Sequence, residues 1–327
     1  MKWISPSALA RLGVLGINAR NRDFVGRYNP RRAFPLVDDK LETKRLMEAA
    51  GLATPELLFV VRAQHEIKRV HEQLEGHTGF CVKPSKGSGG KGILVIERRN
   101  GDRFVKASGA EVDIEHIRRH MSNALAGLYS LGGNPDAVMV EALIEFDPVF
   151  DGYSFEGVPD IRILVFQGYP VMAMLRLATH DSDGKANLHQ GAVGVGLDLG
   201  SGASMLAVQY ARPVTHHPDT GRALDALEIK DWGNMLLLAA RCYEITGLGY
   251  LGADLVLDRS RGAALLELNA RPGLAIQVAS GMGLKPRLRA IEARVAEYGK
   301  ESAEARVAHV MAAFGSTAAE SEIRRLA

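Results

Sequence analysis

Three oxygen-bearing side chains near the carboxyl end of the chain have types and a spacing that could bind a divalent cation. Asp254 lies in one apolar run, and Glu267 and Asn269 lie in the next, after a short turn. If that turn falls at residues 260–261, antiparallel pairing places Asp254 directly opposite Glu267, with Asn269 two residues farther along the same face. Two carboxylates and an amide oxygen are hard ligands of the kind that Mg²⁺ prefers. The pattern predicts a magnesium site, although a hairpin with polar residues on its solvated face explains it about equally well.

The other face of this hairpin is predicted to be apolar. Leu255, Leu266 and Leu268 are expected on that face. A slip of one residue would place a leucine opposite Asp254 and separate the two carboxylates. The register is therefore a specific and testable expectation.

A glycine-rich loop between two strand-like runs is the second feature that could do chemistry. Glycine can adopt backbone conformations closed to other residues, so that N–H groups surround phosphate oxygens, and lysines add positive charge. Lys83 lies on the strand that enters the loop. The loop residues expected to cover a nucleotide are Ser85, Lys86, Gly87, Ser88, Gly89, Gly90, Lys91 and Gly92. A mobile surface loop is the competing interpretation.

The named glycine motifs do not account for this loop. Gly87, Gly89 and Gly92 satisfy G-x-G-x-x-G, but a strand follows where a dinucleotide-binding fold requires a helix. Gly92 follows Lys91 where a Walker A motif requires Ser or Thr. No His-Arg-Asp or Asp-Phe-Gly sequence of a protein kinase comes later in the chain. A strand–loop–strand hairpin over a nucleotide is the interpretation that remains.

Composition narrows the class of protein. The 327 residues suffice for about two domains, and 46% hydrophobic with 24% charged residues is typical of a soluble globular protein. No apolar run approaches the roughly 20 residues that span a bilayer, and the first residues lack the apolar core of a secretion signal. A cytoplasmic location without a membrane span is therefore predicted. Cys81 and Cys242 lack CxxC or histidine spacing, so neither a disulfide nor a zinc site is expected.

Charge is distributed unevenly along the chain. A net charge of +2 argues against nucleic acid as a partner. The first 37 residues nevertheless contain seven basic residues and one acidic residue, Asp23. This basic segment is either simply solvated or, through Arg31 and Arg32, holds an acidic or phosphorylated substrate.

Helical and strand-like patterns are interleaved without strict βαβ regularity. Helices are predicted over residues 40–51, 64–74, 113–129, 229–246 and 286–298. Strands are predicted over residues 57–61, 80–83, 93–97, 103–106 and 137–144, and most of the chain after residue 160 reads as strands. The pattern predicts an α+β fold with two lobes, joined near residues 146–159.

Taken in order, the loop and the hairpin resemble the ATP-grasp superfamily, and most closely RimK-type α-L-glutamate ligases. The likeness covers about residues 36–285. Further matching segments are Asp39-Lys40, Val82-Lys83, the run 138–144, Asp160-Ile161-Arg162, Arg176 and the run 187–192. The three predicted metal ligands match the magnesium ligands of that superfamily.

The resemblance implies an α+β ATP-grasp fold in which two lobes clasp ATP. It implies a short basic N-terminal segment (1–36), a small lobe with the glycine-rich loop (37–145), a large lobe with the metal site (146–300) and a C-terminal tail (301–327), which is either helical or loose. The first segment is shorter than the N-terminal α/β domain that these ligases usually carry. A second copy or a partner chain could then complete the substrate cleft.

The resemblance also implies cofactors and their binding residues. ATP and two Mg²⁺ ions are expected, with Mn²⁺ able to substitute. Lys40 and Lys83 are implied to bind phosphate oxygens. Asp160 and Arg162 are implied to bind the cofactor, or else to form a structural ion pair lining the cleft. The residues implied to lie beside adenine are Glu141, Ala142, Leu143 and Ile144.

Four more side chains are implied to serve the reaction. Arg176 is expected to stabilise the transferring phosphoryl group, with Arg271 as the second candidate. Arg271 departs from RimK-type enzymes, which often have Ser before the Pro-Gly pair. Asn187 and His189 are implied to contact phosphate or the acceptor, although His189 is equally well an ordinary hydrogen-bonded histidine.

The activity implied by the resemblance is an ATP-dependent carboxylate–amine ligase that forms an amide through an acyl phosphate. Its partners would be an amino acid such as glutamate, or another carboxylate, and an amine on a peptide, a protein or a small molecule. A cell-envelope or secondary-metabolite peptide is one alternative acceptor. A catalytically silent nucleotide-binding regulatory module is the alternative from another functional class.

Overall fold

The structure is a computed structural model that describes residues 4–87 and 89–316. Contacts divide this part of the chain into two compact units. The small unit comprises residues 38–45, 54–87 and 89–145, and the large unit comprises residues 4–37, 46–53 and 146–316. The functional division at residues 36, 145 and 300 stays a prediction.

Strands and helices are interleaved along the chain, with runs of consecutive strands. The strands within the described residues are β1 (Leu57–Val61), β2 (Phe80–Pro84), β3 (Leu94–Asn100), β4 (Arg103–Lys106), β5 (Glu111–Val112), β6 (Val138–Ala142), β7 (Asp160–Phe166), β8 (Tyr169–Leu177), β9 (Val193–Leu197), β10 (Ser204–Gln209), β11 (Arg212–Val214), β12 (Tyr250–Asp258) and β13 (Gly262–Asn269). The α-helices there are α1 (Pro6–Arg11), α2 (Ile17–Ala19), α3 (Gly26–Tyr28), α4 (Pro35–Asp38), α5 (Lys40–Ala49), α6 (Val70–Gln73), α7 (Ile114–Leu125), α8 (Trp232–Thr246), α9 (Ile276–Ala279), α10 (Lys285–Tyr298) and α11 (Ala303–Phe314).

The small unit is built on an antiparallel sheet with the strand order β1-β6-β2-β3-β4-β5. Helix α7 packs on it because its apolar residues recur at helical spacing: Ile117 and Met121 are fully buried. Asp113 caps this helix, since its carboxylate accepts the backbone N–H of His116 at 2.8 Å. The sheet therefore has one face covered by apolar packing, and its strand β2 leads into the glycine-rich loop.

The large unit is built on a second antiparallel sheet, with the order β11-β10-β9-β8-β7-β12-β13. Its central strands are buried on both faces. In β7, Ile161 and Ile163 belong to the core on one face, which includes α8, while Leu164 and Phe166 belong to the core on the other. Asp160 and Arg162 lie on that second face, beyond the end of its apolar core.

The β12–β13 hairpin confirms the predicted register. Asp254 pairs directly with Glu267, and Gly252 pairs with Asn269, so the three predicted ligands share one face. A bulge beyond Asp254 shifts the pairing by one residue and places Leu265 opposite Leu255. Leu265 therefore enters the core with Leu255 and Leu268, and the prediction that Leu266 lies there is wrong.

Several predicted elements need correction at their ends or in type. Residues 64–74 form a 3₁₀-helix (Gln64–Arg69) followed by α6, rather than one α-helix. The start of the chain carries α1 to α4 and a π-helical stretch (Arg20–Val25), none of which was predicted. The mixture of two antiparallel sheets with helices confirms the predicted α+β class. Among the helices described above, none combines the length and the apolar character needed to cross a bilayer.

Candidate active site

A buried network of charged side chains lies on the face of the large sheet that carries Asp160 and Arg162. Strand β12 lies between β13 and β7, so Asp254 has Glu267 opposite on one side and Arg162 opposite on the other. The two carboxylate oxygens of Asp254 accept hydrogen bonds from Arg162, at 2.6 Å from Nε and 2.5 Å from Nη2. Asp254 is only 1% exposed. This bidentate pair is a strong interaction, because both charges are largely desolvated and geometrically matched.

A second arginine extends the network by one strand. Arg176 on β8 pairs in register with Asp160 on β7 and donates Nε–H to its carboxylate. Nη2 of Arg176 also lies 2.8 Å from Oδ2 of Asp254. Two guanidinium groups and two carboxylates are therefore linked across three neighbouring strands. Asp160 pairs with Arg176 rather than with Arg162, so the predicted Asp160–Arg162 ion pair is wrong in its partners.

The pKa values of Asp160 and Asp254 are shifted in opposite directions. Burial by itself would raise the pKa of Asp254, but Arg162 and Arg176 outweigh burial and hold that pKa well below its usual range. Burial raises the pKa of Asp160 to about 6, against the opposing effect of Arg176 and with a smaller contribution from the negative charge of Asp254. Burial would lower the pKa of Arg176, but Asp160 and Asp254 raise it instead. Asp254 thus has the lower pKa of the two, and Asp160 is the more easily protonated partner.

The donor set for a metal ion has limited free capacity. A carboxylate has about four lone-pair directions, and three of those on Asp254 already accept hydrogen bonds or face a guanidinium. Glu267 and Asn269 are half-buried on the same face, and Oδ1 of Asn269 accepts the backbone N–H of Arg271 at 2.8 Å. In residues 4–87 and 89–316 no group of three or more His, Cys, Asp or Glu side chains is placed to hold a metal. The hard oxygen donors fit Mg²⁺, with Asp254 offering about one free direction.

The predicted catalytic residues Arg271, Asn187 and His189 are not part of the charge network. The guanidinium of Arg271 lies over the ring of Phe34, 4.4 Å from its centroid. Oδ1 of Asn187 accepts the N–H of His189 at 3.1 Å and so caps a 3₁₀ turn (Leu188–Gln190). The His189 side chain is exposed. Their roles in chemistry stay predictions.

The basic N-terminal segment is anchored to the hairpin that carries the predicted ligands. Asn29 is buried and exchanges hydrogen bonds with both backbone groups of Tyr250, and it also donates to the carbonyl of Ala270 at 3.0 Å. Arg20 donates to the carbonyl of Pro272 at 2.8 Å. Neither contact was predicted. Arg31 and Arg32 are both exposed. Their role in holding an acidic or phosphorylated substrate stays a prediction.

The small unit holds a second buried cluster of charges. Lys83 on β2 donates to Oε2 of Glu141 on β6 at 2.6 Å, and Nζ of Lys44 on α5 lies 2.8 Å from Oε1. The Glu141 side chain is 4% exposed. Burial would raise the pKa of Glu141, but the two ammonium groups outweigh burial and lower it. Glu141 is therefore a partner of two lysines inside the sheet, and its predicted place beside adenine stays a prediction.

Lys44 is the functional candidate that the sequence interpretation missed. It follows Lys40 by four residues on α5, so the two lysines share one side of the helix. That spacing was a usable signal. Without knowledge of the fold, however, the buried acceptor for Lys44 could not be identified.

The glycine-rich loop is fixed at its entrance by several hydrogen bonds. Nζ of Lys40 donates to the carbonyl of Gly87 at 2.6 Å. The hydroxyl of Ser85 donates to Asp39, and the backbone N–H of Lys86 donates to Asp136 at 3.0 Å. The N–H of Lys86 is thus already used within the protein. Ser88 lies outside the described residues, and Lys91 is exposed.

The far end of the loop packs against the connection that follows α7. Gly92 has φ near +75°, and a Cβ there would lie 2.4 Å from the ring of Tyr129. The carbonyl of Gly92 is 2.8 Å from Nε2 of His120, and the His120 ring stacks on Tyr129. Gly89 and Gly90 also have positive φ. The loop therefore has a conformation that requires glycine and is held at both ends.

The remaining predicted adenine contacts lie at the end of β6. Ala142 is the last residue of that strand, and its N–H donates to the carbonyl of Glu56 at 2.9 Å. Leu143 and Ile144 follow, and both are half-buried. A contact between these residues and a base stays a prediction.

The sequence of this chain matches a family of known proteins. A family model described as sugar-transfer associated ATP-grasp matches residues 19–293. The chain belongs to this family. The predicted resemblance to the ATP-grasp superfamily is thereby confirmed, and the match includes the glycine-rich loop, the charge network and the β12–β13 hairpin.

This ATP-grasp protein is also similar to a probable alpha-L-glutamate ligase from Xanthomonas oryzae pv. oryzae (strain MAFF 311018). The two are 25% identical over 257 residues, which is 78% of this chain and 64% of the relative. The chain thus spans less than two thirds of the length of the curated relatives it matches.

Solved structures with a similar course of the chain have low sequence identity. D-cycloserine synthetase DcsG is 17% identical, with a TM-score of 0.46 and coverage of 86% of this chain and 79% of the other. A RimK domain ATP-grasp protein from Sphaerobacter thermophilus DSM 20745 is 15% identical, with a TM-score of 0.45 and coverage of 80% and 69%.

Proposed function

We propose that this ATP-grasp protein is an ATP-dependent carboxylate–amine ligase. The observation that carries the proposal is the antiparallel register that places Asp254 opposite Glu267, with Asn269 on the same face. A set of oxygen donors at that spacing suits a cation that accompanies nucleotide phosphates. Membership of the ATP-grasp family and the similarity to a probable alpha-L-glutamate ligase support the same activity.

The proposed reaction consumes one carboxylate, one amine and one ATP. The substrate carboxylate attacks the γ-phosphorus of ATP and releases ADP, which gives an acyl phosphate. The amine then attacks the acyl carbon, the carbon–oxygen bond to phosphate breaks, and the amine loses a proton. The products are an amide, ADP and phosphate. Catalysis of this kind depends on positioning and on neutralising charge more than on covalent chemistry by side chains.

Residues of the large unit would manage the charge of the transferring group. Glu267 and Asn269, together with the free direction on Asp254, would hold Mg²⁺. When bound, the ion supplies electrostatic stabilisation of phosphate oxygens. Arg176 carries a guanidinium that is 12% exposed and already fixed by Asp160 and Asp254, so it would need little reorganisation to stabilise a developing negative charge.

Residues of the small unit would bind the nucleotide. Lys83 and Lys40 carry ammonium groups next to the glycine-rich loop, and each now contacts an acceptor of the protein, Glu141 and Gly87 respectively. Exchange of these acceptors for phosphate oxygens would place two positive charges on the nucleotide. The glycines of the loop allow the backbone to approach the phosphates closely.

The finer identity of the substrates is also part of the proposal. An amino acid such as glutamate would supply the carboxylate, and a peptide, a protein or a small molecule would supply the amine. The similarity to a probable alpha-L-glutamate ligase supports glutamate.

A second candidate function is a nucleotide-binding module without ligase activity. The occupation of three lone-pair directions of Asp254 by Arg162 and Arg176 favours it, because these contacts compete with metal binding. Nucleotide binding without turnover is the behaviour that would distinguish this candidate.

Release of phosphate from ATP tests both candidates. The assay combines Mg²⁺, ATP, a panel of amino acids and a panel of amines, and mass spectrometry identifies the product. A Glu267→Gln variant should lose activity, whereas a Glu297→Gln variant, which removes an exposed carboxylate, should retain it. Phosphate release that needs both a carboxylate and an amine supports the ligase. ATP binding without turnover on any pair contradicts it and supports the silent module.

A further inference from the structure

The small unit gives one buried carboxylate two ammonium partners. Glu141 contacts Lys83 at 2.6 Å through one oxygen and Lys44 at 2.8 Å through the other. The three side chains are 4%, 11% and 5% exposed, in that order. With all three groups ionised, the cluster has a local charge of one positive unit. A Lys83–Glu141 pair alone would be neutral and would not attract an anion by its net charge.

The ammonium group of Lys44 is held by several acceptors of the small unit. Nζ of Lys44 also donates to Oγ1 of Thr54 at 3.2 Å and to the carbonyl of Pro55. An ammonium group has three protons, so each proton of Lys44 has an acceptor inside the protein. Lys83 lies on β2 directly before the glycine-rich loop. Lys44 is therefore the fixed partner of Glu141, and Lys83 is the partner placed to move toward a phosphate.

Movement of Lys83 would be costly if it were the sole partner of Glu141. A carboxylate as buried as this one loses most of its hydration, and an unpaired buried charge is strongly unfavourable. Lys44 removes that difficulty because it keeps Glu141 paired when Lys83 turns away. We propose that Lys44 is a positioning residue for nucleotide binding: it holds Glu141 as a paired carboxylate, so that Lys83 can exchange Glu141 for a phosphate oxygen of ATP. This inference rests on the proposed function.

The test measures the dissociation constant of ATP with Mg²⁺, by calorimetry, in the absence of other substrates. Lys44→Met should weaken ATP binding by roughly 10- to 100-fold, where each factor of ten corresponds to about 1.4 kcal/mol. Lys68→Met, which removes an exposed lysine of the same unit, should leave the constant unchanged. Thermal unfolding of each variant shows separately how much of the fold is lost.

A double variant separates positioning from a general loss of structure. In Lys44→Met/Glu141→Gln no carboxylate needs a partner, so its ATP affinity should lie within about threefold of that of Glu141→Gln alone. A loss of affinity in the double variant as large as in Lys44→Met would overturn the inference. If Lys44→Met does not fold, Lys44→Arg carries the test by itself: a guanidinium keeps Glu141 paired, so ATP affinity should stay within about threefold of the wild type, and a tenfold weakening overturns the inference.

The outcomes also separate this inference from the proposed function. Equal ATP affinity of the wild type and a folded Lys44→Met variant would refute the role of Lys44 and leave the ligase proposal standing. Absence of ATP binding by the wild type would refute both.

Discussion

Replacement of Asp254 by Asn should destabilise the large unit strongly. The change removes one of two negative charges from a network that contains two buried guanidinium groups. An amide has one carbonyl oxygen, so it cannot accept both bonds of the bidentate contact with Arg162, and its NH₂ group would face a donor. Removal of one partner from a buried ion pair costs roughly 3–5 kcal/mol. We expect a loss of stability in that range at pH 7.

Urea unfolding, followed by circular dichroism, measures the effect. The matched control is Asp183→Asn, because Asp183 also forms an ion pair, with Lys185 at 2.8 Å, but its side chain is 88% exposed. That control should show no measurable change, since exposed ion pairs contribute little. The comparison isolates burial as the cause, because both substitutions replace a carboxylate by an amide.

A second variant tests the electrostatic reason directly. In Asp254→Asn/Arg162→Met the carboxylate and its bidentate partner are both removed, and Arg176 keeps Asp160. The double variant should be more stable than Asp254→Asn alone, because replacing both members of a buried pair costs less than leaving one unpaired. A free energy of unfolding for Asp254→Asn within about 1 kcal/mol of the wild type would refute this account of the network.

Three further predictions follow from burial and backbone geometry. Lys83 and Lys44 outweigh burial and lower the pKa of Glu141 below 4.5, so its ionised form contributes stability above that pH. In urea unfolding, the stability that Glu141→Gln loses relative to the wild type should be largest at pH 7 and should shrink as the pH falls below 4.5. A loss that does not change with pH would contradict this. Gly92→Ala should lower the melting temperature more than Gly101→Ala. Both glycines have positive φ, but only a Cβ at position 92 would collide with a ring, at 2.4 Å from Tyr129. Equal decreases would show that the loop can move to accommodate the added Cβ. Burial raises the pKa of the Cys81 thiol to about 11. Iodoacetamide at about pH 8 should therefore label Cys81 in urea and not in the native protein. Rapid labelling of the native protein would contradict this and indicate local opening.

The placement of the predicted ligands shows what local pattern can establish. Side chains alternate along a strand, so an antiparallel hairpin with a short turn brought Asp254, Glu267 and Asn269 to one face by spacing alone. The bulge that moved Leu265 into the core in place of Leu266 was not visible in that pattern. A bulge depends on how the strand packs against the rest of the sheet, and the sequence of the hairpin does not encode that separately.

The glycine-rich loop also combines features that the sequence predicts with features that it does not. Its glycines and the strands around it could be predicted, because the conformational freedom of glycine is a property of single residues. The use of the Lys86 N–H by Asp136, and the contact of Gly92 with His120, could not be predicted. Those partners come from a helix and a connection distant in sequence.

The sequence by itself determined which residues could do chemistry and which of them share a strand or a hairpin. The tertiary structure alone decided their partners: Arg162 and Arg176 on Asp254, and Lys44 beside Lys83 on Glu141. The physical reason is that periodicity and turn geometry act over a few residues, whereas ion pairing depends on which strands become neighbours in a sheet. That order, with β7 between β8 and β12, is fixed by the packing of the whole unit.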